Sequence, residues 1–248
     1  MTLSLAVHSS KGGSGKTSIS INLAAAYASE GKNVCLIDID IRGPSLYTFF
    51  NAKPAFWVND FLSKKCGIMD TMEDVSAHVG TKGKFLVAYS NPEISVIREF
   101  ACKDRSWQSA ALKSLISGKK ELFDSGIDVI IFDTSPGVEY ESINAVAASD
   151  AVVIIHNSTN VSLNAIEQLI NGIYAPLNKK AAIINNMCHG NIMNCSIDQK
   201  QFGIPILENI SCMCDVATKS NNQILVITEP DHLFSKSIVR IKNKLSES

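Results

Sequence analysis

A short apolar run, Leu3 to Val7, leads directly into His8-Ser-Ser-Lys-Gly-Gly-Ser-Gly-Lys-Thr-Ser18, and that loop into a segment with helical spacing. A glycine-rich bend between a strand and a helix brings several backbone N–H groups to bear on one point, because few side chains stand in the way. Gly12, Gly13, Ser14 and Gly15 form the bend, and a helix opening at Lys16–Thr17 adds the positive end of its dipole. The Lys16 amine is placed to neutralise terminal phosphates and the Thr17 hydroxyl to ligate Mg2+, with Ser18 completing the set. This is the P-loop pattern, with Ser10 where the first glycine is expected. The expected ligand is a nucleoside triphosphate.

The rest of the chain suits a fold that carries such a loop. Its 248 residues suffice to bury roughly 70–75% of the unfolded surface. Strand-like runs at Leu3–His8, Asn33–Asp38, Phe85–Tyr89, Asp128–Asp133, Ala151–His156, Ala181–Asn185 and Ile206–Asn209 alternate with helical patterns at Lys16–Ser29, Ser106–Ser117, Ser142–Ala148, Leu163–Ile173 and His232–Leu245. Several strands are continuous Val/Ile/Leu runs, as expected when both faces are covered. The prediction is a doubly wound α/β fold, a mainly parallel sheet flanked by helices, in one domain over residues 1–248. Asn51–Lys84 is more polar and less periodic, and reads as short helices and loops on the rim.

A net charge of −1 gives no bulk attraction to nucleic acid or anionic membrane. No apolar run approaches the ~20 residues of a membrane span. The N-terminus lacks a basic region and a cleavable leader there would remove the loop, so a cytoplasmic location is expected. Seven cysteines in a chain of this size do not read as a disulfide framework, and reduced thiols are expected.

Two further segments carry carboxylates at strand exits. Val34-Cys-Leu-Ile-Asp-Ile-Asp40 places Asp38 and Asp40 where one can join a Mg2+ shell and the other orient an attacking water. Val129-Ile-Ile-Phe-Asp133 has the Walker B form, and Pro136–Gly137 begins a loop able to respond to a terminal phosphate.

Lys11 is not called for by an ordinary P-loop. The pattern Lys-Gly-Gly-x-Gly-Lys-Thr resembles the deviant Walker A motif of the MinD/ParA/Mrp ATPases. The resemblance extends through Asp38-Ile-Asp-Ile-Arg-Gly-Pro-Ser45, Asp133-Thr-Ser-Pro-Gly137, Asp150-Ala-Val-Val-Ile-Ile155 with Ser162-Leu163, Asn186-Met187 and Gly203-Ile-Pro-Ile-Leu-Glu-Asn-Ile210. It implies an ATPase in which Lys11 reaches across a homodimer to the partner's phosphates, Asp40 positions the hydrolytic water, Asp38 and Asp133 serve Mg2+, and Asn186 reads the adenine edge. The absence of an Asn-Lys-x-Asp pattern near Asn186 also favours adenine over guanine. Ser135 departs from the resemblance, standing where proline is common.

By the same resemblance, ATP-driven dimerisation would make the protein a slow switch that positions, partitions or regulates a partner protein. The alternative is an Mrp-like carrier or insertion ATPase for an iron–sulfur cluster, zinc or nickel. Its candidate ligands are Cys212 and Cys214, which a dimer would double to four sulfurs, with Cys188, His189 and Cys195 on a neighbouring loop. Neither carrier spacing of the family is matched at the equivalent place. Phe234, Ile238, Ile241 and Leu245 form an apolar stripe in the last helix, as in the membrane-targeting helix that ends MinD proteins, so peripheral attachment to the inner membrane face is a further expectation. DNA binding, as in ParA relatives, finds no basic, aromatic-interleaved stretch in its favour.

Overall fold

The computed structural model describes residues 2–157, 160–188 and 203–247, with the backbone alone for 160–163. Its strands are β1 (Leu3–His8), β2 (Val34–Ile39), β3 (Glu73–Asp74), β4 (Phe85–Ala88), β5 (Val129–Thr134), β6 (Ala151–Asn157), β7 (Lys180–Cys188) and β8 (Ile206–Ser211). They form one eight-stranded sheet in the order β3-β4-β2-β5-β1-β6-β7-β8. Every neighbouring pair is parallel except the short β3 edge against β4.

The helices are α1 (Lys16–Ser29), α2 (Leu46–Phe49), α3 (Val58–Leu62), α4 (Ser76–Val79), α5 (Ile94–Ala101), α6 (Arg105–Asp124), α7 (Tyr140–Ala148), α8 (Asn160–Leu169), α9 (Cys214–Lys219), α10 (Leu225–Thr228) and α11 (Leu233–Glu247). Successive residues of one strand feed opposite cores. Leu5 and Val7 of β1, with Val34 and Leu36 of β2, pack under α1, α10 and α11. Cys35, Ile37 and Ile39 face the other side, under α3, α5, α6 and α7, while Ala6 faces α7 and α8. This is the doubly wound arrangement the continuous apolar runs call for, and it sets the loops after β1, β2 and β5 side by side at the carboxyl ends of central strands.

Helix α1 has the predicted bounds. Alanines at 24, 25, 26 and 28 let it lie close on the sheet, and all four are buried. Gly31, at φ +92°, ends it: its N–H donates to the Ala28 carbonyl while the Lys32 N–H donates to that of Tyr27. Helix α6 runs to Asp124, beyond the expected Ser117. Gly118, inside the helix, makes a close contact, since a Cβ there would lie 2.8 Å from the Phe61 ring of α3. Helix α5 is an addition to the expected elements, held to α6 by Phe100 edge-on to Trp107 at 5.0 Å.

The final helix corrects an expectation. Phe234, Ile238, Ile241 and Leu245 are all buried against α1 and β8. Each such side chain contributes roughly 1.5–3 kcal/mol by leaving water. The stripe belongs to the core, where the expectation had it facing a membrane. Among the described residues, no helix is long and apolar enough to cross a membrane.

Candidate nucleotide-binding site

The loop after β1 is shaped by its own polar groups. The Ser9 hydroxyl donates to the Lys11 carbonyl at 2.8 Å, and Gly137 N–H donates to the Ser9 carbonyl at 2.8 Å, tying this loop to the one after β5. Gly13 and Gly15 take φ of +70° and +89°, a backbone region that Cβ-bearing residues rarely adopt. Helix α1 then starts without any side-chain cap, leaving its first N–H groups facing the cavity rather than a protein acceptor.

Lys16 is only 7% exposed, and burial lowers its pKa against the opposing pull of Asp133 and Asp40. Asp133 accepts hydrogen bonds from Thr17 Oγ1 at 2.7 Å and from Ser20 Oγ at 2.9 Å. Burial nevertheless pushes its carboxyl up to about 6. Asp38, its register partner across β2 and β5, is wholly buried; burial first, then the charges of Asp133 and Asp40, raise its pKa well above the ordinary carboxylate range. One Asp38 oxygen accepts the Asp40 N–H at 2.9 Å, whereas Oδ2 has no hydrogen-bond partner. Two buried carboxylates beside a phosphate loop, one with an orphaned oxygen, are the donor set a hard divalent cation takes. The residues expected to hold Mg2+, Thr17, Asp38 and Asp133, thus come together, and they fit the ion.

Asp40 lies nearer the surface. Ser135 Oγ donates to its Oδ1 at 2.7 Å and the Gly43 N–H at 3.1 Å. Two residues on, Arg42 pairs with Glu139 at 2.6 Å, so the loops after β2 and β5 are joined twice. Sequence reading assigned no role to Ser20 or Arg42. Ser20 could have been found from its place one helical turn after Thr17; Arg42 carried no signal, since its partner is remote in sequence. A cavity of about 500 Å³ opens among Gly12–Ser18, Asp40, Arg42, Gly43 and Pro136. Lys11 is exposed and does not line it.

A second cavity, of about 750 Å³ and mostly apolar, shares Gly15, Thr17 and Ser18 with the first. Its far wall is the end of β7 and the segment after β8: Asn186, Met187 and Ser211 to Cys214, with Pro44, Ser45 and Phe49 opposite. The β7–β8 register shifts between Asn185 and Cys188, and Met187 takes φ +55°. That irregularity accompanies Asn186 being turned to the loop, where its Nδ2 donates to the Ser14 carbonyl at 2.8 Å. Sequence reading placed Asn186 at this site but gave no hint that it braces the loop itself.

Cys212 and Cys214 are free, exposed thiols on the wall of this second cavity. Among the described residues, no group of three His, Cys, Asp or Glu side chains is gathered as a metal site. Cys188 is disulfide-bonded, against the expectation of uniformly reduced thiols, while Cys35, Cys66 and Cys102 are free. His189 and Cys195 lie outside the described residues.

A family model described as ParA, NUBPL iron-transfer P-loop NTPase, matches residues 1–245. The chain belongs to this family. Among curated relatives, an uncharacterized ATP-binding protein of Methanocaldococcus jannaschii is 28% identical over 159 residues, 63% of this chain and 53% of that protein. The sporulation initiation inhibitor protein Soj of Bacillus subtilis is 27% identical over 208 residues, 83% of this chain and 78% of Soj. An iron-sulfur cluster carrier protein of Aquifex aeolicus is 24% identical over 265 residues, 98% of this chain and 67% of the carrier. The chain therefore spans about half the length of the Methanocaldococcus relative and two thirds or more of the other two. In fold it matches the cell division ATPase MinD of Pyrococcus furiosus with a TM-score of 0.81 at 17% identity, over 100% of this chain and 99% of MinD. It matches MinD of Pyrococcus horikoshii, solved with Mg-ADP, with a TM-score of 0.80 at 16% identity, over 100% and 97% of the two chains. The expected fold class and the expected family are both borne out.

Proposed function

We propose that this protein is a Mg2+-dependent ATPase, one domain per chain, that is slow alone and is activated when two ATP-bound copies associate, switching the state of a partner protein. The observation that carries the reading is the different placement of two lysines in one loop. Lys16 lies inside the phosphate cavity, whereas Lys11 is exposed and outside it, and among the described residues Lys11 enters no ion pair. An exposed amine beside an anion cradle has something to gain from a second molecule's phosphates, once two surfaces close and exclude water.

In this reading the phosphates occupy the cavity over Gly12–Thr17, held by backbone N–H groups and Lys16. The base lies in the second cavity beside Asn186. Asp40, fixed by Ser135 and Gly43, orients the attacking water. Mg2+, held by Thr17, Asp38 and Asp133, would neutralise charge on the terminal phosphates. The loop after β5 senses the terminal phosphate through Gly137, whose N–H already holds the phosphate loop.

The test is specific ATPase activity against protein concentration. It should rise with concentration for the natural protein and lie at least about a hundredfold lower, and flat, for Lys11→Ala, as for other charges supplied in trans. Constant specific activity down to nanomolar protein would overturn the dimer switch.

A second reading is favoured by one observation, the pair of free, exposed thiols at Cys212 and Cys214. Together with the iron-sulfur carrier relative it supports a metallocluster carrier in which two chains supply four sulfurs. Metal analysis of protein purified without air separates the readings: sulfur-bound iron, zinc or nickel supports the carrier, and its absence supports the switch.

A further inference from the structure

We propose that Cys212 and Cys214 form a thiol modification site that competes with nucleotide. A mixed disulfide at either sulfur, formed with a low-molecular-weight disulfide such as oxidised glutathione, fills the base-side cavity and closes it to ATP. The inference rests on the nucleotide-site reading above and adds a control to it.

The argument is one of shared space. Both thiols are free and exposed; Cys212 follows β8, Cys214 opens α9, and Met213 between them is extended, a spacing that brings the two side chains to one side. They wall the same cavity as Gly15, Thr17, Ser18 and Asn186. At about 750 Å³ that cavity is of the size that holds one small ligand. A glutathionyl group is as bulky as a nucleoside, so the two cannot both be seated there. Among the described residues, the other cysteines do not line this cavity. Cys35 is fully buried, which pushes its thiol up and shields it, and Cys102 is exposed but does not line the cavity.

The chemistry balances without further reagents. A cysteine thiol loses its proton and the thiolate attacks one sulfur of oxidised glutathione. The glutathione S–S bond breaks as the protein–glutathione S–S bond forms. The departing glutathione thiolate takes up the proton. The protein sulfur is oxidised and one glutathione is reduced; a thiol reductant reverses the step.

The experiment uses the full chain. Affinity for a fluorescent ATP analogue with Mg2+ is measured first, and adduct formation by oxidised glutathione is then followed by peptide mass spectrometry. We expect adducts at Cys212 and Cys214 that Mg-ATP slows at least about tenfold, while labelling of Cys102 proceeds unchanged. Modified protein should bind the analogue at least about tenfold more weakly, equivalent to about 1.4 kcal/mol, and recover on reduction. In the Cys212→Ser, Cys214→Ser double variant, affinity should no longer respond to oxidised glutathione even though Cys102 still reacts. Equal labelling rates with and without nucleotide, or undiminished affinity after modification, would overturn the inference while leaving the nucleotide site intact. Thiols already blocked by metal in the isolated protein would overturn it in favour of the carrier. If the reduced protein binds no nucleotide, the site reading itself fails and takes the inference with it.

Discussion

At the ends of β1, β2 and β5, side chains hold one another. Asp133 takes two hydroxyl donors, Asp40 takes one hydroxyl and one N–H, and Arg42 reaches Glu139 across the gap between loops. At the ends of β7 and β8 the strand register slips, Asn186 is the one side chain among the described residues that reaches the phosphate loop, and the cavity wall is mostly apolar with two thiols. The contrast follows from what each end has to do. Charge transfer between phosphate and water needs dipoles fixed in advance, because reorganising them during reaction costs rate. Holding a flat ring needs volume and one or two directed contacts, and tolerates an adaptable wall. The first region should therefore answer to substitution sharply, and the second mildly.

Replacing Lys16 is the most severe way to probe the first region. Lys16→Ala should cost at least about a hundredfold in turnover and abolish tight triphosphate binding, since it removes the buried cation facing Asp133 and Asp40. Steady-state ATPase and analogue binding check both. A loss no larger than that of a surface lysine would put the phosphates elsewhere.

Acid probes the buried strand ends. Burial lowers His156 from 6.5 to about 4, and neither of its ring nitrogens has a hydrogen-bond partner. His8 is also lowered to about 4, by burial and then by Lys16, although it is hydrogen-bonded to the Tyr174 hydroxyl at 2.6 Å. Because these folded values lie below the unfolded one, the unfolded chain takes up the proton first. The stability is fully present above pH 6.5 and is lost as pH falls towards 4, by at most about 3 kcal/mol per histidine. Urea unfolding of the natural protein and of His156→Leu across that window isolates one histidine's share as the difference between their slopes. Parallel slopes would mean that His156 meets water.

Gly15 sits where the two regions touch. An added Cβ would lie 2.4 Å from Asn186 Nδ2, on a residue at φ +89°. Gly15→Ala should lose about 2–3 kcal/mol of stability, of which about 1–2 is the backbone conformation alone. Adding Asn186→Ala should restore the contact part and no more, a coupling a double-mutant cycle reads directly. Full additivity would deny that the two ends meet there.

The mildest expected effect is at Ser135. Removing its hydroxyl in Ser135→Ala should lower kcat about three- to tenfold with nucleotide affinity unchanged, the net worth of one ordinary hydrogen bond at a half-exposed carboxylate. Ser135→Thr should keep most of the rate. An equal fall in affinity would make Ser135 a structural residue rather than a positioning one for Asp40.

Much of the phosphate region was legible in sequence, because its chemistry is written in consecutive residues. Gly12 to Thr17 announce a bend and a helix start, and apolar runs ending in Asp38 and Asp133 announce buried strands with a carboxylate at the exit. What escaped depends on partners remote in sequence. Helix α6 passes its expected end at Ser117 with Gly118 closed against Phe61 of α3. The stripe from Phe234 to Leu245 has one pattern whether it meets a bilayer or α1, and only the neighbour decides. Helix α5 went unseen because it is only eight residues long, although Ile94, Ile97 and Phe100 recur at helical spacing. Asn186 was legible as a site residue by resemblance, yet its bond to Ser14 spans 172 positions.

The closing of α1 by α11 bears on how the protein is made. The Val226 N–H of α10 donates to Asn22 in the middle of α1, and the Lys242 amine of α11 contacts Glu30 just past the end of α1. A ribosome makes the glycine loop long before the clamp behind it near residue 245. Between those two events the nascent chain can carry the loop but not the seat on which it rests, so capture of ATP should wait until the clamp has emerged.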